Sequence, residues 1–180
     1  MNEIILDSEQ RIAIYDNLFD FHYRNDIYDF ATKSYFQIGW EDTHNLENSK
    51  HRYLHSLYSQ TDIDNLGIIE KIQKTPAAEE IVGYEIEKTV LNLSTPADSH
   101  FIHTHQNDKV LLYYVNLNWN DGWHGETLFF KNDTQEIAFA TAYVPGRLLC
   151  FDAKIPHTVR PQSHIASHYR FTLSIFLNKC

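Results

Sequence analysis

Two histidines separated by one residue, His103 and His105, are the side chains in this sequence most able to do chemistry, and a third, His157, follows Ile155-Pro156 much later in the chain. In an extended strand, side chains two apart share a face, so both imidazoles can aim at one point while Thr104 turns away. Two ligands on one strand and a third on a distant strand make a facial set on a metal ion, with the opposite positions left for water, substrate and O2. Seven of the 11 histidines fall between His100 and His168. A His-x-His pair alone is also the pattern of surface or hydrogen-bonded core histidines, so the metal reading rests on what surrounds it.

The bulk properties limit the alternatives. With 180 residues and 43% hydrophobic content, the chain suits one domain with a real core, residues 1–180. The formal net charge is -9 and the 15 Lys and Arg are scattered, which argues against nucleic acid or an anionic membrane as partner. Cys150 and Cys180 form neither a disulfide framework nor a metal knuckle. No basic segment leads into an apolar leader and no 18 apolar residues run together, so a cytoplasmic, soluble protein is expected.

The elements that must position the histidines follow from periodicity. Residues 1–80 read as a helical support region, with a loose helix over Asp20–Ser34, a short strand at Tyr35–Trp40 and a polar loop at Glu41–Arg52. A clearer helix is capped at Thr61 or Asp62, carries Ile63, Leu66, Ile69 and Ile72, and stops before Pro76, with Gly67 weakening it. From Ile81 the period changes to two. Strands are expected at Ile81–Leu93, Ser99–His105, Lys109–Asn118, Thr127–Phe130, Glu136–Ala142, Arg147–Phe151, His157–Val159 and Tyr169–Leu177. Turns fall at Asn107-Asp108, Asn120-Asp121-Gly122, Asn132-Asp133, Pro145-Gly146 and Ala153–Pro156. So many short strands without helices between them imply a jelly roll or barrel, giving an α+β, mainly β fold with N-terminal helices packed on one sheet.

Within the last strand Arg170, Thr172 and Ser174 alternate with Phe171, Leu173 and Ile175, so one face is polar and cationic. An unpaired guanidinium in so apolar a strand is costly, and a bound anion would offset that cost. A salt bridge to one of the many acidic residues is the competing explanation, which its neighbours disfavour. Leu112, Tyr114 and Asn116 share a face of their own strand by the same parity.

From about Glu85 to Leu177 the sequence resembles the prolyl-4-hydroxylase-like branch of the 2-oxoglutarate- and Fe(II)-dependent oxygenases. His103-Thr104-His105 stands where that family has His-x-Asp, and Tyr113-Tyr114-Val115-Asn116 with Trp119 is similar to its Tyr-Leu-Asn strand. Gly125-Glu126-Thr127 with Phe129 resembles its Gly-Gly-Glu-Thr-x-Phe segment, with His124 in place of the first glycine. Pro145–Asp152 resembles the strand before the distal histidine, and His157-Thr158-Val159-Arg160-Pro161 followed by Tyr169-Arg170-Phe171-Thr172 resembles the family's ending.

The resemblance implies a double-stranded β-helix core over residues 81–180, Fe(II) held by His103, His105 and His157, and 2-oxoglutarate held at its far carboxylate by Arg170 and Tyr114, with Thr172 and Ser174 beside them. It implies O2 as oxidant, ascorbate as an optional reductant, and release of succinate and CO2 as a substrate carbon is hydroxylated. The substrate would be a peptidyl residue of the proline kind or a small metabolite; the oligomeric state is open. His105 departs from the family's carboxylate, and three readings stay open: His105 is itself the ligand, which the strand geometry favours; Asp108 reaches back from its turn; or the position is filled by water or an anion. Two other functions compete: a cupin-like three-His dioxygenase without 2-oxoglutarate, and a non-catalytic β-barrel binding module. His100, His124, His164 and His168 read as structural or loop residues, Trp119 and Trp123 as core and rim, and Arg147 as a turn-edge charge. The Glu41–Arg52 and Gln162–His168 segments are the candidate substrate lids.

Overall fold

A computed structural model describes residues 2–6, 10–42, 51–132 and 134–180. Among the described residues one antiparallel sheet runs β1 (Asn2–Leu6), β2 (Gln10–Tyr15), β9 (Leu148–Asp152), β6 (Lys109–Tyr114), β11 (Arg170–Lys179), β5 (Tyr84–Ser94), β4 (Tyr53–Tyr58), β3 (Gln37–Trp40) from edge to edge, and a second sheet, β10 (His157–Val159), β7 (Thr127–Phe130), β8 (Ile137–Thr141), stands opposite it. The central strands of the large sheet are β5, β6, β9 and β11. This is the mainly β, two-sheet arrangement expected of a jelly roll.

The large sheet is buried on both faces. Leu111 and Tyr113 of β6, and Phe171, Leu173 and Ile175 of β11, join a core that contains Ile27, Ala31, Ile63, Ile68 and Ile72 from the helices. The alternate residues Val110, Leu112, Tyr114 and Phe176, with Leu149 and Phe151 of β9, face the small sheet and form a second core with its Phe129. That alternation is why β6 reads as a continuous apolar run, whereas β11 can place Thr172 and Ser174 on the inner face.

The helices lie on one sheet, as expected, with changes of detail. In α1 (Phe21–Lys33) the cap is Asp20, which accepts from the Tyr23 amide at 2.9 Å, and the buried stripe is Tyr23, Ile27 and Ala31. The helix expected from Thr61 or Asp62 is instead two. Ser59 is its cap, exchanging hydrogen bonds with Asp62, and Gly67 in the left-handed region (φ 68°) ends α2 (Gln60–Leu66) before α3 (Ile68–Ile72) begins.

The larger correction concerns residues 1–80, which are not only a helical support. The strands β1 (Asn2–Leu6), β2 (Gln10–Tyr15), β3 (Gln37–Trp40) and β4 (Tyr53–Tyr58) extend the large sheet at both edges. Of these only β3 was legible in the sequence. β2 pairs with β9 and β4 with β5, so distant partners rather than local pattern create them. Ser99–His105 is also not a regular strand; its one ladder contact is a bridge between His103 and His157. Most of the Glu41–Arg52 loop, and Asp133 of the Asn132-Asp133 turn, lie outside the described residues. Among the described residues no helix is long and apolar enough to cross a membrane.

On the helix-covered face, Glu80 is 1% exposed and ties four elements together. Its carboxylate accepts from Arg11 Nη1 at 2.7 Å, Tyr15 Oη at 2.6 Å, Cys150 Sγ at 3.2 Å and Lys109 Nζ at 3.3 Å. Burial opposes ionisation, but the hydrogen bonds from Arg11, Tyr15 and Cys150 and the charge of Lys109 outweigh it and hold the carboxyl down at about 2. A carboxyl lowered by folding contributes stability above its unfolded value and loses it as pH falls toward the folded one. Stability to denaturant should therefore fall as pH drops from about 5 to about 2. Glu80→Ala, which leaves Lys109 buried without its partner, should cost about 3 kcal/mol or more at pH 7 in urea unfolding and flatten that acid slope.

Candidate metal centre

The three histidines meet because two extended segments pair through their backbones. His103 N–H donates to His157 O and His157 N–H to His103 O, each at 3.0 Å, and His105 N–H donates to Ala153 O at 2.9 Å. The segment is therefore extended at the residues that matter, although it is no regular strand, and the one-residue spacing still aims both imidazoles the same way. His157 opens β10, whose pairing with Phe129 of β7 seats it in the small sheet.

Hydrogen bonds decide which ring nitrogens face the centre. His103 Nδ1 lies 2.8 Å from Phe101 O, and His157 Nδ1 lies 2.8 Å from Ile155 O. A carbonyl can only accept, so both Nδ1 atoms carry a proton, and Nε2 is the nitrogen through which either ring would bind a metal. His105 Nε2 lies 3.2 Å from His157 Nε2, and among the described residues one ligand atom from each of the three rings lies within 4.8 Å of the others. Two nitrogens bound to one ion at about 2.1 Å sit about 3 Å apart, so the spacing fits a shared metal. Burial, then the neighbouring His103 and Lys88, push His105 down to about 3, and burial pushes His157 well below the ordinary range. Both imidazoles are neutral at pH 7, the form that binds metal.

Asp108 is not part of the cluster. Its Oδ2 accepts from Lys179 N–H at 2.8 Å and its own amide donates to Leu177 O at 3.1 Å, so it fastens the turn to the end of β11.

A narrow cavity of about 70 Å³ runs inward from the three histidines between the two sheets. Arg170, Thr172 and Ser174 line it, together with Asn92 and Ser94 of β5 and Thr127 of β7. Arg170 is 2% exposed, and its guanidinium lies 4.7 Å from the Tyr143 ring centre and 5.4 Å from that of Tyr114. Its Nε donates to Gly125 O at 3.1 Å, whereas its Nη2 is buried without a partner. Tyr114 stands behind the wall: its hydroxyl is 2.6 Å from Thr127 Oγ1, and Thr127 is the residue of the pair that reaches the cavity. Ser174 Oγ accepts from Asn92 Nδ2 at 3.2 Å.

Sequence reasoning missed Asn92, Ser94 and Thr127, although the first two are polar alternate positions on a strand whose partner, β11, it had read as polar inside. His100, read from the sequence as a structural residue, also lines the cavity, with Nδ1 3.0 Å from Asp42 Oδ2 and Nε2 3.3 Å from Ser94 Oγ. His124 and His168 stay away: His124 Nδ1 is 3.8 Å from Glu126 Oε1, and His168 stacks on Trp123 with ring centres 5.1 Å apart. Arg147 makes a bidentate pair with Asp16 at 2.7 and 2.9 Å. The Gln162–His168 segment is pinned through Ser163 N–H to Trp123 O at 2.8 Å and through Gln162 Nε2 to His168 O at 2.9 Å, and it does not border the cavity beyond the histidines.

No protein-family model and no curated protein matches the sequence. Solved structures do match in shape. An oxidoreductase of the 2OG-Fe(II) oxygenase family from Burkholderia pseudomallei superposes with a TM-score of 0.65 at 11% identity, over 93% of this chain and 85% of that one. The 2OG complex of the viral collagen prolyl hydroxylase from Paramecium Bursaria Chlorella virus-1 gives 0.63 at 13%, over 94% and 96%. A prolyl hydroxylase of Trichoplax adhaerens in complex with a hypoxia inducible factor oxygen degradation domain peptide fragment gives 0.58 at 15%, over 93% and 83%. The fold is that of the prolyl hydroxylases and 2OG-Fe(II) oxygenases. At such low identity the sequence itself carries little of the likeness, and the shared property is the architecture.

The residues fit the groups that such enzymes use. Three convergent imidazoles suit a divalent iron, and an orphaned, buried guanidinium nitrogen beside the same cavity suits a carboxylate. Gly125 makes room for that guanidinium: it has φ 85°, and a Cβ there would lie 3.2 Å from Arg170 Cδ and 3.4 Å from Nε. Gly125→Ala should cost about 1–2 kcal/mol in denaturant unfolding from the left-handed backbone alone, with further loss as Arg170 is displaced.

Proposed function

We propose that this protein is an Fe(II)- and 2-oxoglutarate-dependent oxygenase built on a double-stranded β-helix, hydroxylating a carbon of a peptidyl residue of the proline kind or of a small metabolite. The observation that carries the proposal is one cavity with three convergent histidine nitrogens at its mouth and an unpartnered arginine nitrogen in its wall.

His103, His105 and His157 would hold the iron, and Arg170 would hold the far carboxylate of 2-oxoglutarate, with Thr172, Ser174 and Thr127 as neighbouring polar groups. Tyr114 supports that end through Thr127 and through the face it turns to the guanidinium. When bound, iron and 2-oxoglutarate supply the O2-dependent oxidation that yields succinate, CO2 and a hydroxylated carbon. The protein's own part is orientation and charge. Three imidazole ligands would leave the dipositive charge of the ion to be balanced from outside the ligand set, by the dianionic co-substrate whose far carboxylate Arg170 would hold. Phe176 and Phe151 edge the His105 and His157 rings at 4.8 and 4.9 Å and keep that end apolar.

The substrate would arrive from the other side of the histidines. A wide groove of about 1060 Å³ opens there, lined by Trp40, Asp42, Glu87, Lys88, Thr104 and Asn107 among others, and His103 and His105 form part of its floor. Its size suits an extended peptide better than a diatomic or a small acid, and a peptide is what the Trichoplax prolyl hydroxylase holds. The all-histidine ligand set favours one competitor, a three-His dioxygenase that needs no 2-oxoglutarate.

Anaerobic titration of the Fe(II)-loaded protein with 2-oxoglutarate separates the two. A saturable visible charge-transfer band is expected, with an apparent affinity weakened by about a hundredfold or more in Arg170→Ala, because truncation removes a buried charge-assisted contact. His157→Ala should bind no stoichiometric iron. Iron binding without the band would favour the dioxygenase that needs no co-substrate, and no iron binding would leave a binding module. Succinate release in the presence of proline-containing peptides, against small metabolites, then identifies the substrate class.

A further inference from the structure

The ligand set contains no carboxylate, yet one lies just behind it. The Asp42 side chain is 6% exposed and borders both the groove and the inner cavity. Its Oδ2 accepts from His100 Nδ1 at 3.0 Å and from Phe101 N–H at 3.2 Å. The carbonyl of that same residue, Phe101, accepts the Nδ1–H of His103 at 2.8 Å. Asp42 therefore grips the backbone whose other polar group sets the tautomer and direction of a metal-facing imidazole. His100 is itself locked, stacked on Tyr53 with ring centres 4.4 Å apart and hydrogen-bonded to Ser94, so the carboxylate has a rigid seat. Burial opposes its ionisation, but the His100 hydrogen bond and the Phe101 amide help hold it below the usual carboxylate range.

We propose that Asp42 is a positioning residue of the metal centre, supplying from behind Phe101 the negative charge that three imidazoles lack and fixing His103 with Nε2 toward the ion. This role rests on the reading of His103, His105 and His157 as metal ligands. In mononuclear sites an imidazole whose other nitrogen is held by an acceptor is a better oriented and more basic ligand, and removal of such outer contacts typically costs about 10- to 100-fold in metal affinity. Here the acceptor is a carbonyl and the charge stands one peptide farther out. The link is the Phe101 backbone, held at its N–H by Asp42 and presenting its C=O, across the Cα, to His103.

The test is titration of the metal-free full chain with Co(II), read by its visible d–d absorption, alongside thermal melting of the same samples without metal. Asp42→Asn keeps the size and removes the charge. It should lower Co(II) affinity by about tenfold or more and alter the d–d spectrum while the metal-free protein melts within a few degrees of wild type, and Asp42→Glu should recover part of the affinity. Asp42→Ser, which retains a hydroxyl acceptor for the Phe101 amide, should reproduce the loss and serves if the asparagine variant does not fold. Wild-type affinity and spectrum in Asp42→Asn would overturn the role while leaving the three-histidine site standing. An affinity loss matched by melting, or failure of both charge-removing variants to fold, would also overturn it, assigning Asp42 to the fold alone. If His157→Ala binds Co(II) as tightly as wild type, the histidine site itself is wrong and the role of Asp42 falls with it.

Discussion

A guanidinium buried at the start of a central strand is the constraint around which the rest is arranged. Arg170 begins β11, which pairs with both β5 and β6, so the side chain cannot swing out to water without opening the sheet. Among the described residues no carboxylate forms an ion pair with it; it has one carbonyl, two tyrosine faces and an unpartnered nitrogen. A buried cation so weakly compensated costs several kcal/mol by general estimates. Such a cost is kept where the charge serves a ligand, and the cavity that it lines leads directly to the three histidines.

Keeping that polar interior requires stability from elsewhere, and the outer face of the same sheet supplies it. Leu111 and Tyr113 of β6 and Phe171, Leu173 and Ile175 of β11, which alternate with the inner-face residues, pack beneath α1, α2 and α3. At one end of this face the Glu80 network joins β2, β6 and β9 to the turn before β5. Its four donors saturate a buried carboxylate, whereas Arg170 is left with donor capacity to spare. One buried charge is built to be satisfied within the protein and the other is not.

At the metal end, backbone pairing does the positioning. The reciprocal bonds between His103 and His157 fix the separation of the two segments, and carbonyls two residues upstream in each segment fix both ring tautomers. In the proposed site a third imidazole would stand where a two-histidine-one-carboxylate site has its anionic ligand, so the balancing charge would come from the co-substrate and from groups outside the ligand set.

The sequence by itself determined what depends on local spacing. His103 and His105 share a side because they are two apart in an extended segment, and Arg170, Thr172 and Ser174 share a face for the same reason. The strands β7 and β10 fall where short strand-like segments bounded by turn residues put them, and α1 lies within the loose helical pattern of Asp20–Ser34. The tertiary structure alone decided what depends on chain segments far apart. The strands β2 and β4 exist because β9 and β5 offer them hydrogen bonds, since their own residues form no long pattern. Tyr114 was placed on the correct face, yet only the packing of β7 shows that Thr127 stands between its hydroxyl and the cavity. Asp42 is 58 residues from His100, in a polar stretch that reads as loop, and no spacing rule connects the two. Their meeting is set by the pairing of β3 with β4 and β4 with β5, which carries the end of β3 to the mouth of the site.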